Sequence, residues 1–432
     1  MTSNRAHEPK PPQVVSRRQF LSMVGLTGAV SIAPGILGAA TADAKTRKRS
    51  TSKASPATAT GPVPQAGPGP RVLVIIELQG GNDGFSMLVP SSDARFHQLR
   101  ERVWLNPKDM VRFDDRYSLA TGLAPLASQL SFVEGVGVAK PDFSHTAMMQ
   151  RWWQGDADGA GTVRTGFLGR CCDVLGGGAA VSGVSIGGGA TPALVSDRAP
   201  TVSLPNIGSL RELTKDQDGR MRPTLSALTE GGGDGTGLDS VDLDLLSRAR
   251  SGLASGLTLL DGLGGIGDKP VGYPDNNQLA ASLSLARELI SLNVGVRVIH
   301  IPWGSFDTHT GHQWAHPEQM RQLGAALTAF HNDITRRGLW NRVLVATTSE
   351  FGRRPAGNAG GTDHGAASTA LVLGPVRAGR HGAPADFNQL DRTGNVSATV
   401  PMYDYYATLA SWLGASPADV LPGGGTPLAS LA

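Results

Sequence analysis

Cysteine is almost absent from this chain of 432 residues: there are two, and they are neighbours, Cys171 and Cys172. Adjacent cysteines seldom bond to each other, because disulfide geometry strains the peptide between them. No disulfide framework is therefore expected. Aromatic residues make up 5% of the chain while glycine occurs 57 times, a balance that argues against a helical bundle and for long loops around a packed sheet. Net charge is low, at +3. No basic stripe with interleaved aromatics appears, so a nucleic-acid partner is not expected.

Long apolar runs are also scarce, and the one present is N-terminal. Ser16-Arg17-Arg18-Gln19-Phe20-Leu21 leads into an apolar stretch from Met23 to Ala40, interrupted by Gly25, Gly28 and Pro34, and ends at Ala42-Asp43-Ala44. A charged start, a short apolar run and a small-x-small site define a secretory signal, and the run is short for a spanning helix. The arginine pair in its S-R-R-x-F-L setting resembles the twin-arginine signal, a receptor-read address. Residues 1–44 are thus read as a twin-arginine signal peptide, with the twin-arginine translocase as partner during export. The expected destination is periplasmic, cell-wall-associated or secreted, with no stable membrane anchor after cleavage. Four basic and two acidic residues lie in that segment, so its removal lowers the net charge to +1. An exported protein without a disulfide framework fits folding in the cytoplasm before export, and any cofactor would be loaded there too.

Residues 45–70, rich in Lys, Ser, Thr, Ala, Pro and Gly, read as a disordered tether. Residues 71–432 read as a single domain with Gly-rich insertions, at 176–189 and again from Thr229 to Leu238. Val72 to Leu78 is continuous, apolar and β-branched, as in a strand buried on both faces. Val294 to Ile301, Val343 to Thr348 and Ala370 to Leu373 repeat that design. Helical periodicity fills Leu279–Leu292, Met320–Arg336 and Met402–Leu413. Strands alternating with helices predict an α/β fold, a mostly parallel central sheet flanked by helices on both faces. Open sheets of this kind bind ligands at the carboxyl ends of their strands.

Three of the predicted strands run into loops bearing a carboxylate: Asp83 in Gly80-Gly81-Asn82-Asp83-Gly84, Asp307 in Phe306-Asp307-Thr308-His309, and Glu350 in Ser349-Glu350-Phe351-Gly352. His309 follows Asp307, with His312 and His316 behind it, and Gly361-Thr362-Asp363-His364-Gly365 adds a further pair before the fourth strand. Carboxylates gathered at one sheet edge repel one another unless a cation sits among them. Mixed Asp, Glu and His ligation suits zinc or manganese. Each residue also has a plainer reading: Asp83 as turn chemistry, His309 and His312 as solvated loop residues, Glu350 as a helix N-terminal charge.

These motifs, with Arg353 after Gly352, resemble those of a family of exported bacterial proteins known as domain of unknown function 1501, many of which carry a twin-arginine signal. The resemblance runs roughly from Arg71 to the C-terminus, and the E-F-G-R…G-T-D-H-G stretch is its most specific part. That family is similar to the alkaline phosphatase and sulfatase superfamily, which implies a metal-centred site for phosphate or sulfate esters of a small molecule or polymer. Carried over, the resemblance makes Asp83, Asp307, His309 (or His312), Glu350, Asp363 and His364 metal ligands for one or two divalent ions. It departs at Phe351, where the superfamily has a histidine, which puts a second ion in doubt. The late helix around Tyr403-Asp404-Tyr405-Tyr406 is read as structural. For a nucleophile at a helix N-terminus, the resemblance points to Asp142-Phe143-Ser144-His145-Thr146: Ser144 first, Thr146 in reserve, His145 assisting the leaving group. A plain N-cap is the alternative for Ser144. Cys171-Cys172 lacks the Pro-x-Arg setting of a sulfatase nucleophile.

Two other classes compete. Gly183-Val184-Ser185-Ile186-Gly187 fits a serine-hydrolase elbow, with Asp307 and His364 following in the order of an α/β-hydrolase. Alternatively the scaffold has lost catalysis and serves as a binding or assembly module, with Phe351 a mark of that loss.

Overall fold

The computed structural model describes residues 69–204 and 272–431, apart from 178 and 180, together with the isolated positions 223, 250, 254 and 257. The expected signal peptide, nearly all of the tether and the Thr229–Leu238 loop lie outside the described residues.

In chain order the domain begins with β1 (Val72–Leu78), the short helix α1 (Gly84–Met87), β2 (Leu88–Val89) and α2 (Ala94–Arg100). It continues with β3 (Met110–Arg112), β4 (Ser118–Ala120), β5 (Leu130–Gly137), α3 (His145–Gln154) and α4 (Phe167–Leu175). Next come β6 (Gly183–Ile186), β7 (Thr201–Leu204), α5 (Gln278–Leu292), β8 (Val298–Trp303) and α6 (His312–Arg336). The chain closes with β9 (Val343–Thr348), β10 (Gly352–Gly357), β11 (Thr362–Gly365), β12 (Ala367–Leu373), β13 (Gly379–Gly382), β14 (Val400–Pro401), α7 (Met402–Leu413) and α8 (Pro417–Val420).

Among the described residues nine strands form the central sheet, in the order β13-β5-β12-β9-β1-β8-β6-β7, with β14 paired to β5. The run β9-β1-β8-β6-β7 is parallel throughout. Of these strands only β12 opposes its neighbours, pairing antiparallel with both β9 and β5. The predicted mostly parallel α/β sheet is therefore present.

β1 shows why its sequence has no polar alternation. Val72, Val74, Ile76 and Leu78 pack into one core with α5 and α6, while Leu73 and Ile75 pack into a second core with α3, α4 and α7. All seven of its residues are buried. Successive side chains of a strand point to opposite faces, so a strand covered on both sides must be apolar throughout.

This order sets β8, β1 and β9 side by side, and their C-terminal ends release the three carboxylate loops at one edge. Two expectations are corrected. Glu350 does not open a helix: the chain enters β10, which pairs antiparallel with β11. Asp363 and His364 lie in β11 itself rather than in a loop.

Ser185 also departs from its serine-hydrolase reading. It sits within β6, wholly buried, in register with His300 of β8. A nucleophile elbow needs a strand-to-helix turn with the hydroxyl exposed. The imidazole near Ser185 Oγ is His300, at 3.5 Å, and its other nitrogen is 2.7 Å from Glu77. Asp307 and His364 pair with each other elsewhere.

Candidate metal centre

Arg353 gathers the loops. Its guanidinium is fully buried and donates to the carbonyls of Gly80, Gly81, Phe306 and Thr362 and to Asp307 Oδ1. The turn after β1, the loop after β8 and the start of β11 are thereby tied to one side chain. Gly80 and Gly81 adopt φ of +108° and +83°, and a Cβ on Gly80 would meet the Asp307 nitrogen at 2.4 Å. Only glycine takes both the conformation and the close approach.

Asp307 is the hub. Its Oδ1 lies 3.1 Å from His364 Nε2, 3.1 Å from His309 Nε2 and 2.7 Å from Arg353. The two imidazole Nε2 atoms are 3.0 Å apart. Its Oδ2 lies 3.5 Å from Nε2 of His145, the first residue of α3. Ligand atoms of His145, Asp307 and His364 all fall within 4.8 Å of one another. Burial works against the Asp307 charge, but the Arg353 guanidinium, by hydrogen bond and charge, together with the neighbouring His364 and His309, outweighs it and holds the carboxyl at about 2.

On each histidine the other ring nitrogen faces a polar partner. His364 Nδ1 is 2.9 Å from the Phe143 carbonyl, so the proton sits there and Nε2 presents a lone pair. His145 Nδ1 is 2.8 Å from Glu350 Oε1, and His309 Nδ1 faces Asp363 Oδ1 at 3.5 Å. Burial keeps His364 below the ordinary imidazole range, ahead of the opposing pull of two acceptors, the Phe143 carbonyl and the Asp307 carboxylate. A neutral His364 then turns a lone pair on a carboxylate oxygen 3.1 Å away. A divalent cation among the three atoms would take the lone pairs of both imidazoles and the carboxylate oxygen at once. Separations of 3.0 to 3.5 Å among the ligand atoms bracket the edge of about 3.4 Å that a tetrahedron has when its ligands stand about 2.1 Å from zinc. The residues present therefore fit a divalent metal, and the outer partners supply the orientation that metal-bound histidines need.

Asp83 does not join this group. Arg100 holds its carboxylate in a bidentate pair, Ser86 donates to it at 2.7 Å, and His312 Nε2 stands 3.1 Å away. Burial would raise this carboxyl, but Arg100 and then His312 hold it well below the usual range. The expected ligand is a buried ion-pair partner and the N-cap of α1. His312 shares its buried network and His316 bonds Asn82, so His309 is the histidine that reaches Asp307. Glu350, expected as a ligand, is occupied by His145 and by the Gly80 amide at 2.8 Å each. Asp363 lies behind His309, beside Asn358 and Arg354.

Phe351 stacks on His364, with ring centroids 4.0 Å apart. Ser144 is the N-cap of α3, yet its side chain makes no capping bond and is exposed, as is Thr146. Sequence reasoning gave His145 a different role and gave Arg353 and Arg100 none. The motif G-R after Glu350 was the available signal for Arg353; Arg100 had none.

The family described as a protein of unknown function, DUF1501, matches residues 267–426. That span holds Asp307, His309, Glu350, Arg353, Asp363 and His364, while Asp83 and His145 precede it. No curated protein matches the chain. Among solved structures, a sulfatase from Pseudoalteromonas sp. is 10% identical, with 83% of this chain and 71% of that one covered and a TM-score of 0.36. An alkaline phosphatase from the Antarctic bacterium TAB5 is 12% identical, with coverage of 79% and 99% and a TM-score of 0.34. The C-terminal periplasmic domain of EcEptC from Escherichia coli is 9% identical, with coverage of 85% and 91% and a TM-score of 0.39. Among the described residues no helix is long and apolar enough to cross a membrane.

Proposed function

We propose that the protein is a metal-dependent hydrolase of phosphate or sulfate esters, exported by the twin-arginine route. The observation that carries this reading is the convergence of three imidazole Nε2 atoms on the Asp307 carboxylate. Asp307, His309 and His364 would hold the ion, with His145 as the fourth group. Asp83 is committed to Arg100 and Glu350 to His145, so we assign one ion rather than two. Bound there, a divalent ion supplies Lewis-acid stabilisation of an ester oxygen.

The chain's own part begins with Ser144. Its hydroxyl, free of capping duty at the start of α3, is the nucleophile we assign, adjacent in sequence to His145. Attack in line forms an Oγ–phosphorus or Oγ–sulfur bond as the bond to the alcohol breaks; the proton lost from Oγ passes to water, and the alcohol oxygen takes one from water. Water then cleaves the seryl ester and regenerates the hydroxyl. Glu350 keeps the His145 ring in register, and Phe351 keeps His364 flat against it.

The test is the metal content of protein purified without added metal, compared with His364→Ala, followed by phosphatase and sulfatase assays. About one zinc or manganese per chain, lost in the variant, with turnover abolished in Ser144→Ala, supports the proposal. Metal retained without turnover moves the reading to a binding module on the same scaffold. No metal in the wild type overturns it.

A further inference from the structure

Beneath the candidate centre runs a buried chain of hydrogen bonds that the ligands themselves do not use. Thr308 lies between Asp307 and His309 in sequence, but its side chain turns inward and is only 4% exposed. Its Oγ1 is 2.8 Å from Nδ1 of His312, the first residue of α6. Nε2 of His312 stands 2.9 Å from Ser86 Oγ and 3.1 Å from Asp83 Oδ2. The Ser86 hydroxyl donates to Asp83, and Arg100 clamps both carboxylate oxygens.

Proton positions follow from these partners. The carboxylate of Asp83 accepts only, so His312 carries its proton on Nε2 and leaves Nδ1 to accept from the Thr308 hydroxyl. The order is that of a catalytic triad, carboxylate to imidazole to hydroxyl. A buried threonine has no access to substrate, however, so the relay has nothing to activate. What it does is fix Thr308, and through it the two residues on either side that point the other way.

We propose that Asp83 is a positioning residue: through His312 and Thr308 it holds the loop that carries Asp307 and His309 in the geometry of the centre. That this loop is a metal loop rests on the proposed function; that it is held from below does not. Backbone bonds assist, from Thr362 N to Thr308 O at 3.2 Å and from His312 N to Gly360 O at 3.1 Å, but neither fixes the side-chain direction of residue 308. An Asp that the sequence offers as a first ligand thus acts one step removed from the ion.

The experiment is amide hydrogen exchange of the full-length, metal-free chain over residues 305–311, with zinc titration against a chromophoric chelator as a second readout. Thr308→Val keeps shape and removes the hydroxyl; exchange in that segment should rise about tenfold, the cost of one buried unsatisfied imidazole nitrogen. Thr308→Ser should restore wild-type exchange, and Asp83→Asn should loosen the same segment from outside it. Ser284→Ala, which deletes a buried hydroxyl in α5 bonded to Ala281, should leave residues 305–311 unchanged. Unchanged exchange in Thr308→Val, or failure of serine to restore it, overturns the proposal. If the loop loosens as expected while the wild type takes up no zinc, the positioning role stands and the metal reading fails. If zinc binds to the wild type and weakens about tenfold or more in Thr308→Val, both stand.

Discussion

The imidazole of His145 is held 2.8 Å from the carboxylate of Glu350, a partner 205 residues away in the chain. One residue opens α3 and the other follows the end of β9, so this bond joins the helix layer to the sheet edge at the candidate centre. Glu350 is almost fully buried and also accepts from the Gly80 amide. A buried carboxylate behind an imidazole fixes the ring's tautomer and raises its basicity as a ligand. Glu350→Gln keeps the size and an acceptor but removes the charge. Zinc affinity, measured by chelator competition, should fall about tenfold to a hundredfold. An unchanged affinity would show that His145 is not a ligand.

His309 and His316 separate function from stability. His309 is half exposed and faces Asp307; His316 is buried on α6, with Nε2 3.2 Å from Asn82 and Nδ1 without a partner. His309→Ala should abolish tight zinc binding while leaving the denaturant midpoint nearly unchanged. His316→Ala should do the reverse, lowering stability by about 2 kcal/mol or more through the cavity and the orphaned Asn82. Loss of zinc in both variants would mean that the site is more tightly coupled to the core than the contacts indicate.

His316 also sets a pH dependence. Burial, then the neighbouring His312, pushes its imidazole down to about 3. An unfolded chain protonates the same ring near its ordinary value of about 6.5. The folded value is the lower one, so its contribution is fully present above about pH 6.5 and is lost progressively as the pH falls toward 3. Urea unfolding of metal-free protein should show stability falling across that window. His316→Leu should flatten the fall; an identical slope in both proteins would remove His316 as its cause.

The sheet was legible because the strands of a parallel core are apolar on both faces, and Val72–Leu78 and Val343–Thr348 need no partner to be recognised. The strand after α5 came out shifted, since the apolar run from Val294 starts several residues before β8 begins at Val298. β5 escaped notice: Glu134 and two glycines break its run, and its pairing with β12 is set by residues far away in sequence. At the site, Asp307, His309 and His364 were readable because short polar motifs interrupt apolar strands. The identity of Asp83 as an ion-pair partner was not. That depends on Arg100, whose sequence neighbours give no hint that its side chain is buried. His145 was singled out, but its contacts with Glu350 and Asp307 were not, because one sequence does not reveal which way a ring at a helix start will turn.

The two cysteines carry no chemistry in this arrangement. Both are free and fully buried in α4, and burial lifts Cys171 to about 12 and Cys172 well above the ordinary thiol range. A thiol so raised is protonated at pH 8 and out of reach of reagents. Native protein should therefore resist iodoacetamide for hours at that pH, and both thiols should label once guanidinium unfolds it. Rapid labelling of the native state would mean that α4 opens locally.

Gly80 tests whether the turn after β1 sets the spacing of the centre. It adopts φ of +108°, and a Cβ at this position would collide with the backbone nitrogen of Asp307. Its amide donates to Glu350 and its carbonyl accepts from Arg353, so a shift here moves three site residues together. Gly414, the C-cap of α7, provides the control: φ is +101°, yet a Cβ there meets nothing within 4 Å. Alanine at either position bears the cost of a left-handed backbone, about 1–3 kcal/mol. Only Gly80→Ala must also push the Asp307 loop away. Gly414→Ala should therefore lower stability without touching zinc affinity, whereas Gly80→Ala should lower both, with zinc binding weakened about tenfold or more. If Gly80→Ala bound zinc like the wild type, the loop would have room to yield, and the close approach of Gly80 to Asp307 would not be what fixes the position of the carboxylate.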